Sequence, residues 1–298
     1  MAVIIHTEAL SKYYGPVVGV ENLSLDVEAG EVFGFLGANG SGKTTTIRLL
    51  LGLLRPTSGR AAIQGADCWT EGLRARRDVG YLPGETPIYP EMTAAAYLRY
   101  LGRIGPRPVS PALLERLLRR FDVSEVDLGR RLRDHSHGMK RKLGIVQALM
   151  TEPMLLVLDE PTTGLDPLMI EAFCQTVEEL RRDRGVTIFL SSHVLSEVER
   201  LCNRVGLIRR GSLASVQTIE DIHMILPRRV TVAFATPVDG ATPSIPGVTL
   251  VSREPRRWVL DVRGPLAPLV SSLSGLPLRD LEVGRRSLED YILKLYSE

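Results

Sequence analysis

Apolar residues follow two alternating rhythms through the first two thirds of the chain. Short unbroken runs at Val32–Leu36, 154–158, 186–190 and 205–208 have the length of strands buried on both faces. Between them, apolar positions recur every three or four residues: Leu113, Leu114, Leu117, Leu118 and Phe121, then Ile170, Phe173, Val177 and Leu180. That spacing lays an apolar stripe along a helix. The alternation predicts an α/β fold, a parallel sheet with helices on both faces and ligands at the carboxyl ends of its strands. A mostly helical insertion is expected from about residue 89 to 150, punctuated by prolines between 106 and 111. The pattern changes after Gly211. From Pro227 onward, alternating strands at 230–234 and 258–262 are interleaved with two short helical patterns. The last begins at Ser287, whose hydroxyl can cap a helix with Asp290 three residues on. It sets Leu288, Tyr291, Ile292 and Leu295 on one face. Residues 225–298 thus read as a small α+β domain, apart from residues 1–220.

Gly37, Ala38, Asn39, Gly40, Ser41, Gly42, Lys43 and Thr44 spell G-x-x-x-x-G-K-T directly after the first apolar run. A helical pattern over 45–54 follows, with Thr45 at its head. A strand, a glycine-rich turn and a helix aim several backbone N–H groups at one point, which also faces the positive end of the helix dipole. That is a polyphosphate site. Lys43 would reach the β- and γ-phosphates and the Thr44 hydroxyl would hold Mg²⁺, so the chain is expected to bind a nucleoside triphosphate.

A second apolar run ends in two carboxylates, Asp159 and Glu160. Strands of such a sheet end together, so Asp159 is expected beside the phosphate loop, holding Mg²⁺. Glu160 is then placed to polarise an attacking water, worth about 10²–10⁴-fold in rate. His193 follows the next core strand on the same edge and is read as a γ-phosphate contact. His135-Ser136-His137-Gly138-Met139 opens a further helical pattern. A His-x-His metal site lacks additional ligands at usual spacing, and the better reading is a second phosphate-directed helix N-terminus with Ser136 and Gly138 as donors. One loop already encloses its own nucleotide, so this second set serves another subunit's. Tyr14, before Gly15-Pro16, is a turn aromatic or, the favoured reading, a base-stacking platform.

Composition narrows the class. With 298 residues there is room for one large domain and a smaller one. The net charge of +2 gives no general electrostatic case for nucleic acid, and the basic runs at 74–77, 116–120, 130–133 and 140–142 are expected to be solvated helix faces. Three scattered cysteines with no C-x-x-C fit a reducing compartment. The amino terminus lacks a signal-peptide layout, and no apolar stretch approaches the roughly 20 residues that span a bilayer. A membrane role would need another chain to do the crossing.

Taken together, the residues resemble the nucleotide-binding subunit of an ATP-binding cassette (ABC) transporter, over residues 3 to about 220. Residues 37–44 match the Walker A motif and 155–159 the Walker B motif, with Glu160 as the family's catalytic carboxylate. Residues 135–139 stand at the L-S-G-G-Q signature, Gly164-Leu165-Asp166 at the D-loop, His193 at the switch histidine and Tyr14 at the adenine-stacking aromatic. The resemblance implies a P-loop NTPase parallel sheet with an antiparallel β edge and a helical insertion subdomain. It implies ATP and Mg²⁺ as ligands and two subunits, identical or different, closing head to tail around two ATP–Mg²⁺. Each nucleotide would sit between one subunit's Walker A and the other's Ser136 and Gly138, with Asp166 nearby. It further implies an integral-membrane permease partner, docked on the helical insertion, and a place on the cytoplasmic face of the inner membrane. A non-transport relative acting on DNA or ribosomes is the alternative, disfavoured by a single cassette without sustained heptads.

Two departures stand out. Gly84 and then Glu85 follow Gly80-Tyr81-Leu82-Pro83, where the family usually has glutamine. The metal contact is therefore vacant or passes to Glu85. The signature carries His137 and Met139 in place of glycine and glutamine. The segment at 81–85, the variant signature and the carboxyl-terminal extension also look like bacterial ATPases serving drug, antibiotic or lipid exporters.

Overall fold

The computed structural model describes residues 2–85, 89–225, 227–238, 245–285 and 288–289. The chain divides into two compact units, Met1–Gln217 and Thr218–Glu298.

In the first unit, β1 (Val3–Tyr14), β2 (Val17–Glu28) and β3 (Val32–Leu36) lead into α1 (Lys43–Leu50). Then come β4 (Ser58–Ile63), β5 (Ala66–Asp67), α2 (Gly72–Arg76) and β6 (Val79–Leu82). The helical insertion holds α3 (Ala94–Ile104), α4 (Pro111–Arg120), α5 (Glu125–Gly129) and α6 (His137–Leu149). The unit continues through β7 (Leu155–Asp159), α7 (Pro167–Arg184), β8 (Thr187–Ser192), α8 (Leu195–Leu201), β9 (Arg204–Arg209) and β10 (Ser212–Thr218).

Local chemistry starts these helices where they start. Thr93, Ser110, Ser124 and Ser136 each accept a hydrogen bond from a backbone N–H of the turn that follows, satisfying an orphan donor of α3, α4, α5 and α6. Helix α1 begins two residues before the expected position because Gly42, at φ 113°, turns the chain through a left-handed conformation that glycine adopts without strain.

Six strands form one sheet in the order β10-β9-β3-β8-β7-β6, with parallel pairs β9–β3, β3–β8, β8–β7 and β7–β6. Strands β3, β7 and β8 are buried along their whole length, as their apolar runs demand, and the polar Asp159, Thr187, Ser191 and Ser192 at their ends are buried with them. The antiparallel strands make a sheet of their own, β2-β1-β4-β5. It shares one core with α1 and the parallel sheet: Ile5, Leu10, Val20 and Leu23 cluster with Phe35, Ile47, Leu50 and Phe189. Phe189 stacks on Phe33 with ring centroids 5.7 Å apart and tilts against Phe35 at 5.3 Å.

The second unit holds α9 (Ile219–Ile225), β11 (Arg228–Phe234), β12 (Val248–Glu254), β13 (Arg257–Val262), α10 (Ala267–Leu273) and β14 (Leu278–Arg285). Its antiparallel sheet runs β12-β13-β11-β14. Val230, Val232, Trp258, Leu260, Leu269 and Leu273 build its core. The helix expected from Ser287 lies outside the described residues, apart from Leu288 and Glu289.

Candidate nucleotide site

The turn between β3 and α1 carries residues 37–42, and a cleft of about 310 Å³ opens beside it. Tyr14, Gly40, Lys43, Thr44, Thr45 and Glu160 all line this cleft. Tyr14 ends β1, and its ring passes Gly19 so closely that a Cβ there would meet it at 2.8 Å. Lys43 is only 6 % exposed. Its ammonium donates to the Gly37 carbonyl at 2.6 Å and lies 3.4 Å from Oε1 of Glu160.

Asp159, 1 % exposed, ends β7, and its carboxylate accepts two hydrogen bonds. The Thr44 hydroxyl donates to Oδ2 at 2.9 Å and the Ser191 hydroxyl to Oδ1 at 2.5 Å. Ser191 joins the site without having been among the residues expected from sequence. The available signal was a polar residue closing an otherwise apolar strand. Glu160 follows in a left-handed backbone conformation, φ 50°. Its amide donates to the carbonyl and hydroxyl of Ser191, both at 3.1 Å. Its Oε2 lies 2.5 Å from Nδ1 of His193, so the carboxylate bridges Lys43 and His193.

The surroundings are tuned by burial. Burial and then the Asp159 charge push the Tyr81 hydroxyl above its ordinary value. Burial likewise raises Glu197, which accepts a 2.6 Å hydrogen bond from Thr162.

Thr44 and Asp159 place two hard oxygens side by side, and among the described residues no group of three or more His, Cys, Asp or Glu could hold a metal. That donor set suits Mg²⁺, which takes one or two carboxylates plus phosphate oxygens and water rather than an all-protein cage.

Ser136 is exposed and caps α6, accepting from the Met139 N–H at 3.2 Å. Next to it, His137 and Gly138 pack on Gly164: a Cβ on Gly164 would lie 2.6 Å from the His137 ring, and one on Gly138 2.8 Å from the Gly164 carbonyl. Asp166 caps α7, accepting from the Met169 N–H at 3.0 Å. Glu85 is exposed. Gly84 faces the Asp159 carboxylate, where a Cβ would sit 3.3 Å from Oδ2.

One expectation is overturned. The basic run at 140–142 is not a solvated face, because Arg141 is 2 % and Lys142 8 % exposed. Backbone carbonyls around Arg141 replace its water, and no periodicity rule shows that.

An ABC transporter family profile matches residues 20–163. A bacitracin transport ATP-binding protein of Bacillus licheniformis is 40 % identical over 216 residues, covering 72 % of this chain and 69 % of that protein. The chain belongs to the ABC transporter family. It is therefore an ABC ATPase. A linearmycin resistance ATP-binding protein of Bacillus subtilis is 36 % identical over 224 residues, 74 % of this chain and 70 % of that one. A solved ATP-binding subunit of an ABC transporter is 33 % identical and superposes with a TM-score of 0.67, over 74 % of this chain and 92 % of its own. A dimeric cassette in a post-hydrolysis state with ADP and Pi, 21 % identical, shares the fold at a TM-score of 0.67 over 72 % of this chain. Among the described residues of this ABC ATPase, no helix is long and apolar enough to cross a membrane.

Proposed function

We propose that this chain is the ATP-hydrolysing subunit of a bacterial ABC exporter. Residues 1–220 form its ATPase domain, with the helical subdomain at about 89–150, and residues 225–298 an accessory domain. Two copies, or one copy and a similar chain, close head to tail around two ATP–Mg²⁺ and drive a separate permease from the cytoplasmic face of the membrane. Kinship with proteins named for bacitracin transport and linearmycin resistance supports the exporter reading.

The observation that carries the hydrolytic reading is the Glu160 carboxylate, held between Lys43 and His193 beside the Thr44–Asp159 pair. Tyr14 stacks on adenine, the 37–42 amides and Thr45 surround the phosphates, and Lys43 neutralises their charge. Thr44 and Asp159 hold Mg²⁺, which supplies charge compensation at the phosphates when bound. Glu160 accepts the proton of the attacking water at a carboxylate oxygen. His193, through Nδ1, keeps that carboxylate oriented and meets the γ-phosphate. Ser136 and Gly138 donate to the partner subunit's nucleotide, with Asp166 at the same interface.

The test is ATP turnover of the wild type beside Glu160→Gln, which keeps the shape and removes the base. A fall of about 10²-fold or more with nucleotide binding retained is expected. Equal rates would remove Glu160 from this role. Co-purification with a multi-span membrane protein, as opposed to ribosomes or DNA, tests the transport assignment.

A further inference from the structure

Arg141 lies on α6, one turn beyond Ser136, and is almost wholly buried with no carboxylate paired to it among the described hydrogen bonds and ion pairs. Five main-chain carbonyls surround its guanidinium instead. Nε donates to Pro161 at 3.0 Å, one terminal nitrogen to Pro83 at 2.5 Å and Gly84 at 3.1 Å, and the other to Asp159 at 2.6 Å and to Glu160. A guanidinium has five N–H bonds in a fixed planar fork, so every donor is used.

The acceptors come from two segments that the hydrolytic reading needs in register. One is the turn at 159–161, in which Glu160 takes a left-handed conformation that an L-residue keeps only when its surroundings over-determine it. The Ser191 carbonyl and hydroxyl hold the Glu160 amide on one side, and Arg141 holds the Glu160 carbonyl on the other. The other segment is the loop after β6, where Gly84 faces Asp159.

We propose that Arg141 is a positioning residue for hydrolysis: it fixes the turn that presents Glu160 and locks the Pro83–Gly84 loop to that turn. The inference rests on the reading of Glu160 as the base. Arg141 touches no reacting atom and acts through the backbone of the residue that does. Lysine in its place offers three donors from a single point and cannot serve five carbonyls spread around a plane.

The experiment uses the full chain and compares wild type, Arg141→Lys, Arg141→Gln, Glu160→Gln and the Arg141→Lys/Glu160→Gln double variant. Single-turnover ATP hydrolysis, steady-state kcat and KM, and equilibrium binding of a fluorescent ATP analogue are measured for each. The expected result is a kcat roughly tenfold or more lower in Arg141→Lys, with analogue affinity within about threefold of wild type. In the Glu160→Gln background the Arg141 change should have no further effect on the hydrolytic rate. Arg141→Gln, neutral and shorter, covers the case in which a buried ammonium prevents folding. Wild-type kcat in Arg141→Lys would overturn the proposal. So would a loss that persists undiminished in the Glu160→Gln background, or loss of fold and nucleotide binding in both Arg141 variants, which would assign the residue to the fold alone. Wild-type turnover in Glu160→Gln would instead sink the reading of Glu160 itself.

Discussion

The Thr44 hydroxyl donates to Oδ2 of Asp159 at 2.9 Å, joining two residues 115 apart in sequence. The contact ties the first helix after the phosphate loop to the end of β7, and Ser191 secures the other carboxylate oxygen from β8. Replacing Asp159 by Asn removes the negative charge and turns one acceptor atom into a donor. Turnover in Asp159→Asn should fall about 10²-fold, with half-maximal rate reached only at higher Mg²⁺. An ATPase titration against Mg²⁺ checks this, and an unchanged midpoint would free Asp159 from the metal.

Gly84 leaves room for that carboxylate. A methyl there would lie 3.3 Å from Oδ2 of Asp159, closer than ordinary contact, and 3.5 Å from its Cγ, at ordinary contact. Gly84→Ala should lower turnover several-fold while leaving the melting temperature within about 2 °C of wild type. The proposed metal or water contact of Glu85 is tested alongside. Glu85→Ala should raise the Mg²⁺ requirement, and unchanged rate and Mg²⁺ dependence would dismiss Glu85.

Gly164 sits at φ 81° beneath the His137 ring. Gly164→Ala meets both a backbone cost of about 1–2 kcal/mol and a clash with that ring. His137→Gly added to it should recover the steric part and leave the backbone part. Urea unfolding of the single and double variants separates the two contributions. Identical stabilities would place His137 away from Gly164.

Glu197 gives a pH dependence of known sign. Burial raises its carboxyl above the ordinary 4.5, so the protonated form is favoured in the folded protein. Its favourable contribution is full below the unfolded value and is lost as pH rises through the folded one. Glu197→Gln keeps an acceptor for the Thr162 hydroxyl without the buried charge. The variant should be more stable than wild type near neutrality, with the gap closing as pH falls toward 4.5. Thermal unfolding from acid to neutral pH measures it, and a gap independent of pH would contradict it.

Local periodicity and motif spacing carried the strands at 32–36, 154–158, 186–190 and 205–208 to within about two residues of their observed bounds. Lys43, Thr44, Asp159, Glu160 and His193 were legible because each ends or directly follows a strand, or opens a helix, in a recognisable pattern. The structure gathers them as a Thr44–Asp159 pair and a Lys43–Glu160–His193 set, linked through Ser191. Ser191 and Arg141 were not legible. A serine closing a strand, or an arginine in a basic run, has the same local text whether it faces solvent or holds a carboxylate or a set of carbonyls.

Sequence alone established which segments are strands and helices, that a strand–turn–helix phosphate loop exists, and which carboxylates end the second core strand, since these depend on neighbours a few residues away. Tertiary structure decided the sheet order. It inserts β8 between β3 and β7, so that Ser191 comes to face Asp159 and His193 to face Glu160. It also decided which polar groups are buried, because the worth of a buried donor depends on acceptors that only folding brings within hydrogen-bonding distance.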